Sequence, residues 1–287
     1  MRKVYSDLSM RWCVTKGAIG IWAASPDRKR RRRAAASYLG DSAHDDAVGA
    51  LRVDGFVPWS LSKASLRDLL SAYRQAKESR ANGEGEVVER HTAKLFFGPD
   101  LSRKDLQTYP AFLDVALEHE LLRVLTKTAG LVPHLEDVEV MVSNPVSGNL
   151  SASQLWHRDV NDKVILKLFI YLNDVGPENG PFTFMRATAS SGIPSYGPHY
   201  KDDKTVLRFT GRDAWQRVEG PVGTSFLIDT HNCLHCGSRC QKPRTAYIAT
   251  YSSGLKFMHR SREWRAILGE RIGGLDDLQK RVLGLVS

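Results

Sequence analysis

The chain has 287 residues, 42% of them hydrophobic, which allows one large domain or two small ones with a sizeable buried core. Lysine and arginine outnumber aspartate and glutamate by 41 to 32, and the resulting formal charge of +9 favours anionic partners in general. No stretch approaches the roughly 20 apolar residues that cross a bilayer, and Asp7 and Lys16 interrupt the region where a signal peptide would be apolar. We therefore expect a cytoplasmic protein with no membrane contact.

Residues 1–45 differ from the rest of the chain, and we expect a basic, flexible N-terminal segment there, followed by one domain over residues 46–287. The run Arg28–Arg33 is a block of like charges, which repel one another and are expected to stay solvated. The same run can be interpreted as an arm that contacts nucleic acid. No aromatic residues are interleaved with these arginines, as a surface that binds single strands would require. A flexible tail is therefore preferred, and nucleic acid is not the expected partner.

The first part of the domain is predicted to be helical. After a short apolar segment at Asp54–Val57, either Ser60 or Ser62 can cap a helix over Lys63–Lys77, in which leucines recur at helical spacing. A second helical stretch is predicted near Tyr109–Ala129. The apolar faces of both stretches are expected to be core rather than site.

From about Val138 the sequence changes to short segments rich in β-branched and aromatic residues, separated by Gly, Pro, Asn and Asp. Several short strands at this spacing favour a β-sandwich or barrel. The predicted strands, followed by a helical tail, are Val138–Val142, Val164–Leu172, Gly180–Met185, Thr205–Phe209, Thr224–Ile228 and Ala246–Tyr251, and the tail is Glu263–Val286.

One set of polar residues among these strands predicts a metal centre. His157 and Asp159 are two residues apart, so on an extended segment their side chains point the same way. A distant histidine, His235, is followed by glycine and can complete the two-histidine, one-carboxylate set that binds non-haem Fe(II) and leaves coordination positions open. Arg244 begins the last predicted strand, and a guanidinium can hold a carboxylate through two parallel hydrogen bonds. Together these residues suit an iron site that takes a 2-oxo acid with a distal carboxylate.

Several segments around these residues resemble the phytanoyl-CoA dioxygenase family. The resemblance implies a mainly β fold with flanking helices, namely a double-stranded β-helix or cupin-like jelly roll. It implies Fe(II) on His157, Asp159 and His235, and 2-oxoglutarate held by Arg244, with Lys167 and Gln154 as weaker candidates for binding this cosubstrate. The segments that carry the resemblance are Gln154–Asp159, Lys167–Val175, Glu178–Phe182, Asp229–Thr230, His235–Gly237 and Arg244.

The activity implied by this resemblance is that of an Fe(II)- and 2-oxoglutarate-dependent dioxygenase, which uses O2 to hydroxylate a C–H bond of a small or medium-sized organic substrate. The carboxylate of Asp159 favours hydroxylation or another reaction that begins with hydrogen abstraction, because related halogenases replace it with a small residue that admits chloride. The chain departs from the family at Arg186–Ser190, where a Pro-Gly-Ser-His segment is common. No predicted ligand is lost there, but the identity of the substrate does not transfer, and the basic charge mildly favours an anionic one.

The spacing of the residues leaves competing candidates for two roles. His231 has the same parity as His235 on an extended segment, so alternation cannot separate them as third ligand. The glycine after His235 and the spacing to the arginine favour His235. Arg239 competes with Arg244, and its simpler interpretation is an arginine in a surface loop.

Two other functions remain open from the sequence. Three closely spaced cysteines, with neighbouring histidines, can form a structural zinc site in an interaction module, although small buried hydrophobes are the simpler interpretation. A non-catalytic jelly roll that binds nucleic acid through its basic arm is the other alternative. The cysteines concerned are Cys233, Cys236 and Cys240.

Overall fold

The computed structural model is a pair of antiparallel sheets with a layer of helices. It describes residues 26–40, 42–86, 88, 96–145, 147–195, 198–254 and 261–286. The helices and strands are, in chain order, α1 (Pro26–Leu39), α2 (Asp45–Val53), β1 (Phe56–Trp59), α3 (Lys63–Ala81), β2 (Phe97–Pro99), α4 (Arg103–Thr108), α5 (Ala111–Ala116), α6 (His119–Ala129), β3 (His134–Ser143), β4 (Ile165–Tyr171), β5 (Phe182–Phe184), α7 (Ala187–Ser191), α8 (Asp203–Val206), β6 (Gln216–Val218), β7 (Ser225–Asp229), β8 (His235–Cys236), β9 (Arg244–Ser252), α9 (Ser261–Leu268) and α10 (Asp277–Val282).

The larger sheet has six strands in the order β1-β7-β4-β9-β3-β2, and the smaller has three in the order β6-β5-β8. Strand β4 is central, with Leu168 opposite Leu227 of β7 on one side and Ala249 of β9 on the other. Strands far apart in sequence are thus neighbours in space, as expected when a chain passes back and forth between two packed sheets. The expected mainly β jelly roll with flanking helices is confirmed.

The residues of β4 alternate between two environments. Leu166 and Leu168 belong to the core shared with the helices, whereas Phe169 and Tyr171 belong to the core between the two sheets. The rings of Phe169 and Phe182 of the smaller sheet lie 4.9 Å apart, which brings the inner faces of the sheets into direct contact. Because side chains alternate along a strand, Lys167 also points into the space between the sheets.

The helices cover the outer face of the larger sheet. Two buried tyrosines of β9 fasten that strand to α5, since Tyr247 donates a hydrogen bond of 2.7 Å to Phe112 O and Tyr251 one of 2.6 Å to Ala116 O. The hydroxyl of Ser62 accepts a hydrogen bond from the Ser65 amide at 3.0 Å, so Ser62 is the cap of α3. The stretch predicted as one helix to Ala129 is divided into α5 and α6.

One predicted strand is wrong. Thr205–Phe209 has β-branched and aromatic residues, but the structure begins helix α8 at Asp203 and continues with a turn. The carboxylate of Asp202 accepts a hydrogen bond of 2.7 Å from the Thr205 amide and caps the helix. A capping aspartate satisfies backbone donors that a strand would pair with a neighbour, and this local interaction outweighs the strand propensity.

The basic run near the N-terminus lies on helix α1, and it is not wholly solvated as predicted. Arg31 is only 3% exposed, and its guanidinium donates hydrogen bonds of 2.8 Å to Val132 O and to Ser253 O. A third hydrogen bond, also 2.8 Å, joins Arg31 Nε to the carboxylate of Asp27. Three acceptors offset the loss of water around this charge, which explains why it can be buried.

Part of the predicted N-terminal segment, residues 1–25, lies outside the described residues, and so does Cys13. The division of the chain at residue 45 stays a prediction. Within the described ranges, no helix is both long enough and apolar enough to span a membrane.

Candidate metal centre

The backbone brings His157 and Asp159 next to β8. The His157 amide donates to His235 O and the His235 amide donates to His157 O, both at 2.9 Å. Two residues further along, the Asp159 amide donates to Thr230 O at 2.9 Å. On its other side, His235 lies opposite Phe184 of β5. The extended segment that carries His157 and Asp159 therefore continues the smaller sheet, and all three side chains approach one another.

The side chains of His157, Asp159 and His235 form one cluster. Their potential ligand atoms all lie within 4.8 Å of one another, and the two imidazole rings are 4.3 Å apart between centroids. Among the described residues, this is the one group of three or more His, Cys, Asp or Glu side chains arranged so that they can hold a metal ion. The structure thus brings together the three residues that the sequence predicted as ligands.

Both imidazoles are held in the tautomer that a metal ligand needs. His157 Nδ1 lies 2.9 Å from Leu155 O, and His235 Nδ1 lies 3.0 Å from Cys233 O. A carbonyl oxygen only accepts hydrogen bonds, so each Nδ1 carries the proton and each Nε2 keeps a free lone pair. Two neutral imidazoles and one carboxylate are a donor set suited to a divalent transition metal.

The electrostatics of the cluster favour the same protonation states. Burial, together with the neighbouring His235, lowers the pKa of His157 from 6.5 to about 3, and burial also lowers the pKa of His235. Burial opposes ionisation of Asp159, but Lys167 and the two imidazoles outweigh it and hold the pKa of this carboxyl well below its usual range. At neutral pH both imidazoles are uncharged and the carboxylate is ionised.

Lys167 pairs with the carboxylate of the cluster. Its Nζ lies 2.7 Å from Asp159 Oδ2, and both side chains are about one-fifth exposed, at 21% and 20%. A fully hydrated ion pair contributes little to stability. A partly enclosed ion pair interacts more strongly and therefore fixes the orientation of the carboxylate. Lys167 therefore lies beside this cluster, next to one of the predicted ligands.

Arg244 lies buried in a polar cluster where β9 begins. Its Nη1 donates a hydrogen bond to Gly180 O, and its Nη2 lies 3.3 Å from both Ser143 Oγ and Ser238 Oγ. The two hydroxyls are 2.8 Å apart. A Cβ atom on Gly237 would lie 3.5 Å from Nη2, so the guanidinium packs directly against the backbone that leaves β8. A guanidinium flanked by two hydroxyls is a suitable group for a carboxylate.

Gln154 and Arg239 are both engaged within the chain. Gln154 Oε1 accepts a hydrogen bond of 3.1 Å from the Ser151 amide, and its Nε2 donates one of 3.0 Å to Ser238 O. Arg239 forms a two-pronged ion pair with Asp203, at 2.8 and 3.0 Å, and donates from Nε to Gln154 O at 2.7 Å. Both polar atoms of the Gln154 side-chain amide and all three nitrogens of the Arg239 guanidinium therefore have hydrogen-bond partners within the chain.

His231, the rival third ligand, is outside the metal cluster. Its Nδ1 lies 3.1 Å from the backbone oxygen of Asp159, and its amide donates to the Asp229 carboxylate at 3.0 Å. The Asp229 carboxylate also accepts from the Asn232 amide at 3.1 Å, which forms a turn between β7 and β8. This turn interrupts the alternation, so parity along the chain could not predict which histidine reaches the cluster.

The cysteines do not support a zinc site. In the described part of the chain, none of them joins two other potential ligands in a metal-binding arrangement. Cys233 Sγ lies 3.5 Å from Asp54 O, and Cys240 Sγ lies 3.2 Å from Asn179 O. Burial raises the pKa of Cys233 and of Cys236 to about 12, so without a metal both are neutral buried thiols.

Two residues beside the cluster were missed from the sequence. The ring of Tyr200 lies 5.3 Å from that of His157, and the ring of His199 lies 6.0 Å from it. Tyr200 is 38% exposed, so part of its side chain is in contact with solvent beside the buried His157. Their position depends on the backbone pairing of Lys201 with Trp156, which exchange two hydrogen bonds of 2.9 Å. No sequence motif predicts this pairing.

Comparison with solved structures finds a similar fold in proteins of low sequence identity. The epimerase SnoN, solved with Fe3+, alpha-ketoglutarate and nogalamycin RO, superposes with a TM-score of 0.50 at 18% identity, over 76% of this chain and 90% of that one. EctD from S. alaskensis, solved with 2-oxoglutarate and 5-hydroxyectoine, superposes with a TM-score of 0.51 at 16% identity, over 72% and 75%. At these identities the likeness establishes the jelly-roll fold.

No protein-family model matches the chain, and no curated protein matches it. The resemblance to phytanoyl-CoA dioxygenases therefore stays a prediction.

Proposed function

We propose that the protein is an Fe(II)- and 2-oxoglutarate-dependent dioxygenase that hydroxylates a C–H bond of a small or medium-sized organic substrate. The observation that carries the proposal is the convergence of His157, Asp159 and His235, with potential ligand atoms within 4.8 Å of one another, inside a jelly roll. Two neutral imidazoles and a carboxylate occupy one side of a metal ion and leave the other side for ligands.

Each of the three residues has a distinct part. His157 and His235 offer Nε2, since the carbonyls of Leu155 and Cys233 hold the Nδ1 protons. Asp159 supplies the negative charge that favours a divalent cation. When bound, iron and 2-oxoglutarate supply the oxidising chemistry, in which O2 is consumed and 2-oxoglutarate is converted to succinate and carbon dioxide.

We assign the distal carboxylate of 2-oxoglutarate to Arg244. The hydroxyls of Ser143 and Ser238, both 3.3 Å from Arg244 Nη2, can donate to the same carboxylate. Lys167 faces the space between the sheets beside Asp159, where its ammonium offsets the negative charge of a bound 2-oxo acid. Gln154 contributes indirectly, because its amide fixes the backbone of Ser238.

We assign the substrate side of the site to the exposed rings of His199 and Tyr200. They lie beside His157 and offer two aromatic rings, nearly perpendicular to each other, together with hydrogen-bonding groups. SnoN and EctD were solved with nogalamycin RO and 5-hydroxyectoine respectively, both small molecules rather than macromolecules. A small organic substrate fits the same fold in this chain.

The test is conversion of 2-oxoglutarate to succinate by the purified protein with Fe(II) and ascorbate. The wild-type protein is expected to form succinate, and His157→Ala and Asp159→Ala are expected to reduce the rate to background. Turnover without the true substrate is slow in such enzymes, so equilibrium binding of Fe(II) and of 2-oxoglutarate is measured alongside it.

The control is His119→Ala, which removes an exposed histidine on α6 whose Nε2 lies 2.7 Å from the carboxylate of Asp276. This variant is expected to keep wild-type turnover and Fe(II) binding. Wild-type rates in both His157→Ala and Asp159→Ala would refute the proposal.

A further inference from the structure

The ion pair between Asp203 and Arg239 lies outside the metal cluster but joins the two segments that carry its histidines. Arg239 follows His235 by four residues on the chain that leaves β8. Asp203 begins α8, and its carboxylate also accepts a hydrogen bond of 2.8 Å from Trp156 Nε1, next to His157. One carboxylate thus receives three hydrogen bonds, from the segment before the first ligand and from the segment after the third.

The contacts around this carboxylate form a closed frame. Arg239 Nε donates to Gln154 O at 2.7 Å, so the guanidinium holds the chain before Trp156 as well as Asp203. The Trp156 ring is fully buried, lies 4.8 Å from the Trp215 ring, and has the Arg239 guanidinium 6.0 Å from its centroid. A planar guanidinium that donates to a carboxylate from both Nη atoms and to a carbonyl from Nε has little freedom to move.

The same frame fixes the segment that opens toward solvent. Trp156 and Lys201 exchange two backbone hydrogen bonds of 2.9 Å, two residues before Asp203. His199 and Tyr200, which we assign to the substrate side, immediately precede this pairing. A loss of the Asp203 carboxylate therefore loosens both the His157 segment and the residues that face the substrate.

We propose that Asp203 is a positioning residue, which with Arg239 and Trp156 sets the distance and orientation of the His157 and His235 imidazoles. It touches neither imidazole, and it acts through the backbone that carries them. The proposal rests on the metal-binding part of the proposed function. The same ion pair with Asp203 occupies both Nη atoms of Arg239, which explains why Arg239 is not available to bind a cosubstrate.

The experiment compares Asp203→Ala and Asp203→Asn with the control Asp114→Asn. The control removes the charge from another tertiary aspartate–arginine pair, Asp114 with Arg271 at 2.7 Å, in the helical layer. Two quantities are measured on the full chain: amide hydrogen exchange of the metal-free protein, and the affinity and visible spectrum of Co(II), used as a probe for the metal site.

In Asp203→Ala, we expect faster exchange at the amides of Trp156, His157, Lys201 and His235 than in the wild type, because these amides donate the hydrogen bonds between the joined segments. We expect Co(II) to bind about tenfold more weakly, with an altered spectrum. Asp203→Asn, which keeps an acceptor for Trp156 but gives up the charged pair, should be intermediate. Asp114→Asn should match the wild type in both measurements.

Wild-type exchange and Co(II) binding in both Asp203 variants would overturn the proposal. Exchange that rises uniformly over the whole chain in Asp203→Ala, with wild-type behaviour in Asp203→Asn, would also overturn it, because the residue would then serve general stability. If the wild type fails to bind Co(II), or binds it equally well after His157→Ala, the proposed metal centre is wrong. The exchange comparison still decides the role of Asp203 in that case.

Discussion

The two faces of the six-stranded sheet are built from the same strands, but one packs against the helices and the other carries part of the candidate site. On the helix-facing side, β4 contributes Leu166, Leu168 and Ile170 to a core in which apolar side chains meet apolar helices. On the side that faces the smaller sheet, the same strand contributes Lys167 as well as Phe169. Stability and chemistry are therefore separated by the alternation of one strand, and neighbouring residues should respond to substitution in opposite ways.

The largest effect on stability is expected on the helix-facing side. Leu168 is fully buried there, so Leu168→Ala should lower the free energy of unfolding by about 2–5 kcal/mol through lost burial and a residual cavity. Co(II) affinity should be unchanged. The matched variant is Lys167→Met at the adjacent position, which removes the ion pair with Asp159 and should lower the free energy of unfolding by less than Leu168→Ala does. Lys167→Met should also weaken binding of 2-oxoglutarate. Denaturant unfolding and ligand titration check both, and a loss of Co(II) binding in a folded Leu168→Ala protein would break the comparison.

The next effect concerns Arg244, the charged residue with which strand β9 begins. Arg244→Lys keeps the positive charge but loses the fork that holds a carboxylate, so 2-oxoglutarate should bind more weakly by about 1.5–3 kcal/mol. Metal affinity should stay at the wild-type value, since Arg244 contacts Gly180, Ser143 and Ser238 rather than a ligand. Titration of the Co(II)-loaded protein with 2-oxoglutarate measures the change, and an unaltered affinity would remove Arg244 from its assigned role.

Acid should destabilise the metal-free protein through the buried imidazole of His157. The pKa of His157 is about 3 in the folded protein and 6.5 for an unperturbed histidine, which is the value expected in the unfolded chain. Between these two values the unfolded chain binds a proton at this residue and the folded chain does not. The free energy of unfolding should therefore fall by about 1.4 kcal/mol per pH unit for this group as the pH drops from about 6 toward 3, and the contribution is complete above pH 6.5. His157→Gln lacks this titration and should show a correspondingly shallower pH dependence. Equal slopes in the two proteins would contradict the burial of an uncharged imidazole.

The smallest effect is expected at a helix end far from the chemistry. Ser62 Oγ accepts the Ser65 amide at the start of α3, and Ser62→Ala should lower the free energy of unfolding by about 1 kcal/mol. Neither Co(II) affinity nor 2-oxoglutarate affinity should change. Thermal unfolding together with the same titrations checks this, and an effect on the ligands would mean that the helical layer and the site are coupled.

The strands and the shared direction of two predicted ligands could be predicted because each depends on a local pattern, whereas the choice of His235 over His231 needed the following glycine and the spacing to an arginine. Runs of β-branched and aromatic residues predicted β4, β7 and β9, and the two-residue spacing of His157 and Asp159 predicted that their side chains point the same way. Helix α8 was missed because one capping aspartate, Asp202, outweighs the propensity of the residues after it.

Other features depend on contacts between distant segments, which no local pattern encodes. Arg31 is buried because carbonyls from two distant segments, Val132 and Ser253, meet at its guanidinium. Asp203 meets Arg239 and Trp156 only after the chain has folded, and nothing in its sequence neighbourhood distinguishes it from a surface aspartate. Positioning residues, which orient the residues of a site without belonging to it, are for this reason harder to predict from sequence than the residues that form the site.

The central claim is that His157, Asp159 and His235 hold one ferrous ion. Crystals grown without oxygen in the presence of Fe(II) and 2-oxoglutarate, measured at the iron absorption edge, test it most directly. The account predicts a single anomalous peak within bonding distance of the two Nε2 atoms and one oxygen of Asp159, with the 2-oxoglutarate carboxylate on Arg244. A peak among the cysteines, or none between the two imidazoles, would contradict it.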